Sequence, residues 1–455
     1  MKTIQKICAK QKDFFNSGKT REYRFRVRSL KKLKSAVKKY ENEIYQAVYK
    51  DLRKSEAEAF LTEYQIVLKE IDYFIKNLKE LMKPEKADTP LFTFRSSGLI
   101  YREPYGNVLI IAPWNYPFQL ALLPLAGALA AGNTTILKPS EFSAHTSAVI
   151  DKMITETFDD NYVAVIQGGV EESSALLGER FDYIFFTGST KVGKIVMKAA
   201  AQNLTPVTLE LGGKSPAIVF ADADITVAAR RIVWGKLINA GQTCIAPDYI
   251  YIEKKVKDQF IKEMIKAITD FYGENVQASE EYGRIISRSH LERLIGLVDQ
   301  DKVVFGGNYD IEDQYLGPTI IDPAGWDDPV MQEEIFGPIL PVLTFKNTKE
   351  IKEALQSKGK PLALYLFTNK QKYIDDILGN ISFGGGCVND TILHVGIEQM
   401  PFGGVGDSGM GAYHGRYSFE TFSHRKSILH KSVRPDFDFR YPPYKEQLSK
   451  IKRFI

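Results

Sequence analysis

Cysteine is scarce in this chain, which has only Cys8, Cys244 and Cys387 among its 455 residues. Three cysteines over this length exclude a disulfide framework and indicate a reducing compartment such as the cytoplasm. No secretory signal is expected, because the first ten residues carry three lysines and no apolar segment. The longest apolar run, residues 120–131, contains Pro124 and is shorter than the ~20 residues that cross a bilayer. A net charge of +4 is too small an excess to imply nucleic-acid binding.

Sequence motifs typical of metal sites, serine hydrolases and nucleoside triphosphatases are also missing. The six histidines show no metal-ligand spacing, and no two cysteines are close enough in sequence to indicate zinc. Neither a G-x-S-x-G segment nor a Walker loop occurs. We therefore expect metal-independent chemistry without a transmembrane segment. The length predicts two or three domains of ~150 residues.

Hydrophobic patterning divides the chain into two kinds of region. In the first eighty residues, apolar residues recur near a 3.6-residue period, as between Arg28 and Leu52, which predicts helices. The lysines at positions 31–39 are interpreted as a solvated helix face. From Gly98 onward, short apolar strands alternate with helical stretches, a pattern typical of βαβ units and a covered parallel sheet. Gly212–Gly213 is the predicted junction between two α/β domains. The predicted strands are 108–111, 135–137, 163–166, 183–187, 217–220, 249–252, 341–345 and 362–367.

Two segments that follow predicted strands contain residues suited to nucleotide binding. The strand ending at Thr187 continues into a glycine turn and a helix start, where free N–H groups can hold a pyrophosphate. An ordinary glycine turn between a strand and a helix has the same pattern. Lys138 and Glu141 follow another strand and have the chemistry to hold ribose hydroxyls, although an exposed charged loop is an equal alternative.

Three further residues are candidates for catalysis. Cys244 lies in a predicted loop after a helix, where a thiolate can act as a nucleophile, whereas Cys8 and Cys387 are interpreted as buried apolar residues. Glu210 lies between two leucines that raise a carboxyl pKa by desolvation, which suits a general base. Asn115, between a tryptophan and a tyrosine, has an amide that can donate to an oxyanion. A surface glutamate and a proline-braced turn are the alternatives for the last two.

Taken together, these segments resemble the aldehyde dehydrogenase superfamily, and its class 3 branch in particular. The resemblance runs in register from about residue 20 to residue 444. It implies an α/β fold with a Rossmann-like parallel-sheet cofactor domain, a second α/β catalytic domain and a small oligomerisation segment. We expect the cofactor domain at 1–80 and 100–210, the catalytic domain at 211–393, and bridging segments at 81–99 and 394–455. The similar motifs are 113–115, 138–141, 186–189, 209–216, 241–244, 333–338, 401–406 and 409–415.

The resemblance also implies a role for each matching residue. Cys244 corresponds to the nucleophile, Glu210 to the general base and Asn115 to the oxyanion donor. Asn389 lies in a segment that the family places near the active site. No residue is implied as a metal ligand. The residues implied in cofactor binding are Trp114, Lys138, Glu141, Thr187, Gly188, Ser189, Val192, Gly193, Leu211, Glu334 and Phe336.

The expected activity is oxidation of aldehydes to carboxylic acids with NAD, and possible use of NADP, through a Cys244 thioester that Glu210-activated water hydrolyses. Tyr116 and Tyr413 point to an apolar funnel for medium-chain aliphatic or aromatic aldehydes. The absence of the N-terminal extension found in tetrameric relatives favours a homodimer. Three alternatives remain: a coenzyme A-acylating dehydrogenase, which Glu210 argues against, a cysteine-dependent esterase without a redox step, and a non-catalytic protein of the same fold.

Overall fold

A computed structural model describes residues 2–444, 447–449 and 452 of the chain. The remaining positions of the predicted bridging segment 394–455 lie outside the described residues. The helices are α1 (Lys2–Asn16), α2 (Tyr23–Lys39), α3 (Glu41–Leu52), α4 (Glu56–Ala59), α5 (Gln65–Leu81), α6 (Gln119–Ala131), α7 (Ala144–Thr157), α8 (Val170–Leu177), α9 (Thr190–Ala201), α10 (Ile225–Leu237), α11 (Lys257–Tyr272), α12 (Arg288–Ile295), α13 (Pro329–Gln332), α14 (Thr348–Gln356), α15 (Gln371–Asn380) and α16 (Arg416–Thr421). The strands are β1 (Glu85–Ala87), β2 (Ser96–Pro104), β3 (Asn107–Ile111), β4 (Thr134–Lys138), β5 (Val163–Val165), β6 (Tyr183–Thr187), β7 (Val207–Glu210), β8 (Pro216–Val219), β9 (Tyr249–Glu253), β10 (Val303–Phe305), β11 (Tyr309–Asp310), β12 (Tyr315–Leu316), β13 (Thr319–Ile321), β14 (Ile339–Phe345), β15 (Ala363–Phe367), β16 (Gly385–Val388), β17 (Gly409–Met410) and β18 (Ser423–Lys431).

The helical N-terminal region agrees with the sequence-based prediction. The periodic stretch 28–52 is divided between α2 and α3 at Tyr40, whose ψ of 9° leaves the helical region. Glu41 and Glu43 then lie in the first turn of α3, where carboxylates are favoured by the helix dipole. A π-helical turn, Phe60–Tyr64, joins α4 to α5.

The first sheet has six strands in the order β17-β7-β6-β3-β4-β5, and all but β17 are parallel. Every residue of α6 is buried, so this helix forms the centre of the core beside the sheet. The carboxyl ends of β3, β4, β6 and β7 lie at one edge of the sheet, because these strands are adjacent and parallel. That edge is where ligands bind in open parallel sheets.

The second sheet has seven strands in the order β10-β13-β14-β9-β8-β15-β16, of which only β10 is antiparallel. A third, antiparallel sheet has the order β1-β2-β18, and β2 pairs with β18 over nine residues. Its strands lack the continuous apolar runs of the parallel sheets: β18 is mostly exposed. The sequence patterning therefore did not indicate them.

Candidate active site

The predicted strand-end residues lie together at the carboxyl edge of the first sheet. Lys138 ends β4 opposite Ile111 of β3, and Thr187 of β6 pairs in register with Glu210 of β7. The chain leaves β3 toward Trp114 and Asn115, so residues from four adjacent strands meet at this edge. Because the strands are parallel, residues from 111 to 210 are brought to one place.

The loop that carries Cys244 is held tightly by hydrogen bonds. After α10 the backbone takes left-handed conformations at Asn239 (φ 54°), Ala240 (φ 50°) and Gly241 (φ 78°). Such conformations are uncommon for non-glycine residues and need surrounding support. The Gln242 side chain provides this support. Its Nε2 donates to Asn239 O at 3.0 Å and to Arg284 O at 2.9 Å, and its Oε1 accepts from the Ile286 N–H at 2.9 Å. The loop before Cys244 is therefore fixed.

Hydrogen-bond donors converge near the Cys244 thiol. Asn115 is only 3% exposed, and its Nδ2 donates to Gln242 O at 3.0 Å. An amide nitrogen carries two hydrogens, so this bond leaves one for a further acceptor. The main-chain N–H groups of Cys244 and Ile245 interact with the thiol and favour its ionised form. This cluster has the donors that a negatively charged oxygen requires.

The pKa of the Cys244 thiol is nevertheless raised. Burial is the largest cause, followed by the negative charges of Glu334 and Glu210, and these outweigh the neighbouring N–H groups. Cys244 itself is partly buried and lines a cavity. A nucleophilic thiolate here therefore needs a group that removes its proton.

Glu210 is 2% exposed, and neither of its carboxyl oxygens has a hydrogen-bond partner among the described residues. Burial alone raises its pKa well above the ordinary range. The surface-residue alternative for Glu210 is therefore wrong. A buried carboxyl group with a raised pKa, whose charge acts on the Cys244 thiol, has the character of a general base.

The residues expected at the nucleotide form a second cluster. Lys138 is 1% exposed and donates from Nζ to Pro139 O at 2.9 Å, and its Nζ lies 3.5 Å from Glu141 Oε2. Ser189 caps α9 by accepting a hydrogen bond from the Val192 N–H at 3.4 Å. The open first turn of α9 suits a phosphate group.

Two glycines allow close packing in this cluster. A Cβ at Gly193 would lie 2.7 Å from Leu211 Cδ2, and one at Gly188 would lie 2.6 Å from Phe186 Cζ. The buried Thr187 hydroxyl has no hydrogen-bond partner among the described residues. An unsatisfied hydroxyl, a free helix N-terminus and a buried lysine together fit a dinucleotide.

Glu334 and Phe336 lie on a loop that is fixed by hydrogen bonds to two charged side chains, neither of which was a candidate site residue from the sequence. Lys214 donates from Nζ to Glu333 O at 2.8 Å, and Asp248 accepts from the Ile335 N–H at 2.9 Å. Lys214 lies inside the motif 209–216, which is the one signal that could have indicated it. The Phe336 ring meets that of Trp114 edge-on, with centroids 5.3 Å apart.

The Glu334 carboxylate lies directly against Gly212, where any Cβ would overlap it. Burial, followed by the charge of Asp248, raises the pKa of Glu334 to about 8, against the opposing effects of the Gly213 N–H, Lys214 and Lys236. Glu334 is thus held beside both the glycine junction and the thiol.

A cavity of about 780 Å³ leads to Cys244. Its volume is in the usual range for small-molecule sites. Both tyrosines expected at a funnel line it. The aromatic residues of its wall are Tyr116, Trp234, Phe271, Tyr272, Phe402 and Tyr413.

The other sequence candidates occupy different surroundings. Asn389 uses its side chain to bind the main chain of Thr368, accepting from N at 2.9 Å and donating to O at 3.0 Å, so it joins the ends of β15 and β16. Cys8 and Cys387 are partly buried and pack beside the core rather than fully inside it. Among the described residues, no three or more histidine, cysteine or acidic side chains are grouped to hold a metal ion. No helix within the described ranges is long and apolar enough to cross a membrane.

Fold and site together define an NAD(P)-dependent aldehyde dehydrogenase, which oxidises aldehydes to carboxylic acids. The aldehyde dehydrogenase family matches residues 1–428, and the chain belongs to this family. The predicted family and fold class are confirmed. The esterase, acyl-transfer and non-catalytic alternatives are not favoured.

Individual relatives cover nearly the whole chain. The 4,4'-diaponeurosporen-aldehyde dehydrogenase of Staphylococcus aureus is 50% identical over 457 residues, which cover 100% of both chains. The dimeric NADP-preferring aldehyde dehydrogenase of Rattus norvegicus is 46% identical and covers 97% of this chain and 98% of its own. A solved structure of the substrate-bound state of Staphylococcus aureus AldH has a TM-score of 0.98 at 49% identity and covers 99% of each chain.

Proposed function

We propose that Cys244 is the nucleophile of this aldehyde oxidation, Asn115 its oxyanion donor and Glu210 the general base for hydrolysis. The observation that carries the proposal is that Cys244 lines the cavity on a loop to which the Asn115 amide is hydrogen-bonded through Gln242 O, while its thiol interacts with main-chain N–H groups and with the charge of Glu210. In this proposal the aldehyde enters through the cavity, and the donors stabilise the negative charge that develops on its oxygen.

The chemistry follows from these positions. Cys244 Sγ adds to the aldehyde carbon, and the Asn115 amide and Cys244 N–H stabilise the oxyanion. A bound nicotinamide cofactor would supply the hydride acceptor that collapse of this adduct to a thioester requires. Glu210 then removes a proton from water, which attacks the thioester and releases the acid. Burial raises the pKa of Glu210, which makes its carboxylate a stronger base toward that water.

We assign the cofactor to the carboxyl edge of the first sheet. Lys138 and Glu141 would hold the adenosine ribose, Thr187, Gly188, Ser189, Val192 and Gly193 would lie beside the pyrophosphate, and Trp114, Leu211, Glu334 and Phe336 would surround the nicotinamide end. Support comes from the buried Lys138 ammonium, the capped start of α9 and the edge-on Trp114–Phe336 pair.

The substrate is inferred to be an aldehyde with an apolar tail, medium-chain aliphatic or aromatic. The mainly apolar wall of the cavity supports this inference, because tail burial contributes roughly 0.8 kcal/mol per methylene. Rates over a series of straight-chain aldehydes test it, and kcat/KM should rise with chain length until the cavity is filled.

The domain limits given above, a homodimer and a cytoplasmic location are also proposed. Each parallel sheet is contained within one of the two proposed large domains, apart from the short β17. The rat relative is named as dimeric, and β18 presents a long exposed edge for pairing. Three free cysteines fit a reducing compartment. Light scattering of the purified chain tests the dimer.

The assignment of Cys244 is tested by trapping its acyl-enzyme. The holoenzyme is mixed with NAD and an aldehyde, quenched in acid and digested, and the acyl mass is sought by peptide mass spectrometry. The acyl group should reside on the peptide that contains Cys244 and be absent from those with Cys8 and Cys387. An acyl group on either of these two would refute the proposal.

A further inference from the structure

A buried ion pair lies beneath the segment that carries Asn115. Lys54 Nζ is 2.7 Å from Glu63 Oε1, and both side chains are 0% exposed. Glu63 belongs to the π-helical turn Phe60–Tyr64. Leu61 and Thr62 of this turn, and Ala57 before it, line the cavity that leads to Cys244. Such turns are rare and are frequently found at functional sites.

The two charges hold opposite ends of residues 115–119. Lys54 Nζ donates to Asn115 O at 3.0 Å, and the second Glu63 oxygen accepts from the N–H groups of Phe118 at 3.1 Å and Gln119 at 2.9 Å. The segment is thus fixed by a cation at its first carbonyl and by an anion at the start of α6.

The pair also reaches the nucleophile side of the site. Lys54 Nζ lies 3.8 Å from the centre of the Tyr116 ring, and the Tyr116 hydroxyl is 2.6 Å from Thr243 Oγ1, next to Cys244. Asn239 Nδ2 donates to the same Asn115 carbonyl at 2.7 Å and to Gln242 O at 3.1 Å. Lys54 and Asn239, which belongs to the Cys244 loop, therefore donate to the same carbonyl oxygen, that of Asn115.

Stability alone is a weak reason for such a pair. Removing two charges from water is costly, and replacing a buried pair with apolar residues is often neutral or stabilising. What an apolar pair could not supply is an N–H donor directed at Asn115 O and an acceptor at the start of α6.

From this arrangement we propose that Lys54 and Glu63 are positioning residues for the oxyanion donor: they fix the main chain at Asn115 so that its amide stays beside Gln242 and Cys244. This inference rests on the proposed role of Asn115. A misplacement of about 1 Å in such a site can cost roughly 100-fold in rate. The pair does not touch the substrate, so its effect should appear in acylation and not in cofactor binding.

The decisive variant is the double substitution Lys54→Met/Glu63→Gln. It removes both charges of the pair and keeps a glutamine oxygen as acceptor for α6, but it removes the Lys54 donor to Asn115 O and leaves Asn239 Nδ2 as the donor there. We expect a thermal midpoint close to that of wild type, whereas Lys54→Met alone should unfold at lower temperature because it strands the Glu63 charge. The acylation rate, measured as the first turnover of reduced cofactor in rapid mixing, should fall about 10- to 100-fold. The KM for NAD should change less than about twofold.

A double-mutant cycle with Asn115→Ala shows whether the pair acts through Asn115. Once Asn115 is alanine, the double substitution should slow acylation by less than about threefold. The matched control is Lys257→Met, which removes another lysine pair, Lys257–Asp322 at 2.7 Å, and should leave the acylation rate unchanged.

The outcomes separate the two proposals. If Asn115→Ala slows acylation and the double variant acylates at the wild-type rate, positioning by the pair is refuted and the role of Asn115 stands. An equal loss with and without Asn115 also refutes positioning. If Asn115→Ala itself acylates normally, the donor assignment fails, and the positioning proposal fails with it.

Discussion

The charge of the Glu334 carboxylate is, after burial, the strongest influence raising the pKa of the Cys244 thiol. The two residues are 90 positions apart and come from different parts of the catalytic region. Glu334 is kept there by the close approach of its carboxylate to Gly212 and by the bonds that Lys214 and Asp248 make to its loop. A residue assigned to the cofactor thus also affects the nucleophile.

Removing this charge should make the free enzyme's thiol more reactive. In Glu334→Gln, the thiolate loses a nearby negative charge, so the pKa of Cys244 falls and more thiolate is present at a given pH. Alkylation of Cys244 by iodoacetamide without cofactor should become severalfold faster at pH 9, where Glu334, with its pKa of about 8, is ionised in the wild type. The modified peptide is quantified by mass spectrometry, because Cys8 and Cys387 also react.

Glu333→Gln is the matched control for that experiment. Glu333 is the neighbouring residue, but its side chain is exposed and paired with Arg293 at 2.9 Å. Its replacement should leave the alkylation rate within about twofold of wild type. Slower alkylation in Glu334→Gln would show that the carboxylate favours the thiolate, contrary to the electrostatic argument.

The strand-end part of the site was predictable from the sequence because geometry there is simple. Alternating apolar strands and helices indicate a parallel sheet, and the carboxyl ends of its strands meet at one edge. Lys138 and Thr187 each end or follow a predicted strand, whereas β7, which ends at Glu210, was not among the predicted strands. The cysteine loop is less regular: its predicted position after a helix made Cys244 a candidate, and the resemblance of its motif to a family implied the role of nucleophile.

The supporting charges could not be predicted in the same way. Lys54 and Lys214 donate hydrogen bonds to main-chain carbonyl groups 61 and 119 residues away. Every residue has a main-chain carbonyl, so the sequence does not show which one is bound. Glu63 is directed inward by a π-helical turn, which shifts the register that a regular helical period assumes. The antiparallel pair β2 and β18 was missed because β18 is mostly exposed and β2 is mostly only half-buried, so neither strand shows a buried face.

Cys244→Ala should abolish aldehyde oxidation. Alanine cannot form the thioester, and the change removes one small group from a partly buried position, so folding and NAD binding should be retained. Steady-state formation of reduced cofactor and NAD binding by calorimetry measure the two effects. Cys387→Ala is the control, because its thiol lies 3.5 Å from His394 Nδ1 in a separate contact. Substantial aldehyde oxidation by Cys244→Ala would refute the assignment of Cys244 as the nucleophile.

Glu141→Gln should shift cofactor preference toward NADP. The Glu141 carboxylate can accept from a ribose 2'-hydroxyl and repels a 2'-phosphate, while buried Lys138, 3.5 Å away, partly offsets that repulsion. Wild type should therefore favour NAD and tolerate NADP. The ratio of kcat/KM for NADP over NAD should rise by roughly threefold to tenfold in the variant. The control is Glu171→Gln, because Glu171 is an exposed glutamate on α8 and its replacement should not change this ratio. An unaltered ratio in Glu141→Gln would rule out Glu141 as the discriminating contact.

Glu210→Gln should separate acylation from hydrolysis. Neither carboxyl oxygen of Glu210 has a hydrogen-bond partner among the described residues, so the amide disrupts none of the described contacts and the variant should fold. Thioester formation uses the Cys244 thiolate and the oxyanion donors, whereas hydrolysis needs a base for water. General-base assistance is worth about 10²–10⁴-fold, so deacylation should become strongly rate-limiting. Rapid mixing should show a burst of about one reduced cofactor per active site, followed by slow turnover.

The pH dependence of deacylation provides the second readout. Burial raises the pKa of Glu210 well above its usual range, and only the ionised form accepts a proton. Wild-type deacylation should therefore increase with pH as Glu210 ionises, and this increase should vanish in Glu210→Gln. Glu70→Gln is the control, because Glu70 is another buried carboxyl group at the cavity. Burial raises the pKa of Glu70 to about 7, and its carboxylate accepts a hydrogen bond from the Gly415 N–H at 2.8 Å. A first turnover slowed as much as the steady state, with no burst, would instead make Glu210 the base that activates Cys244.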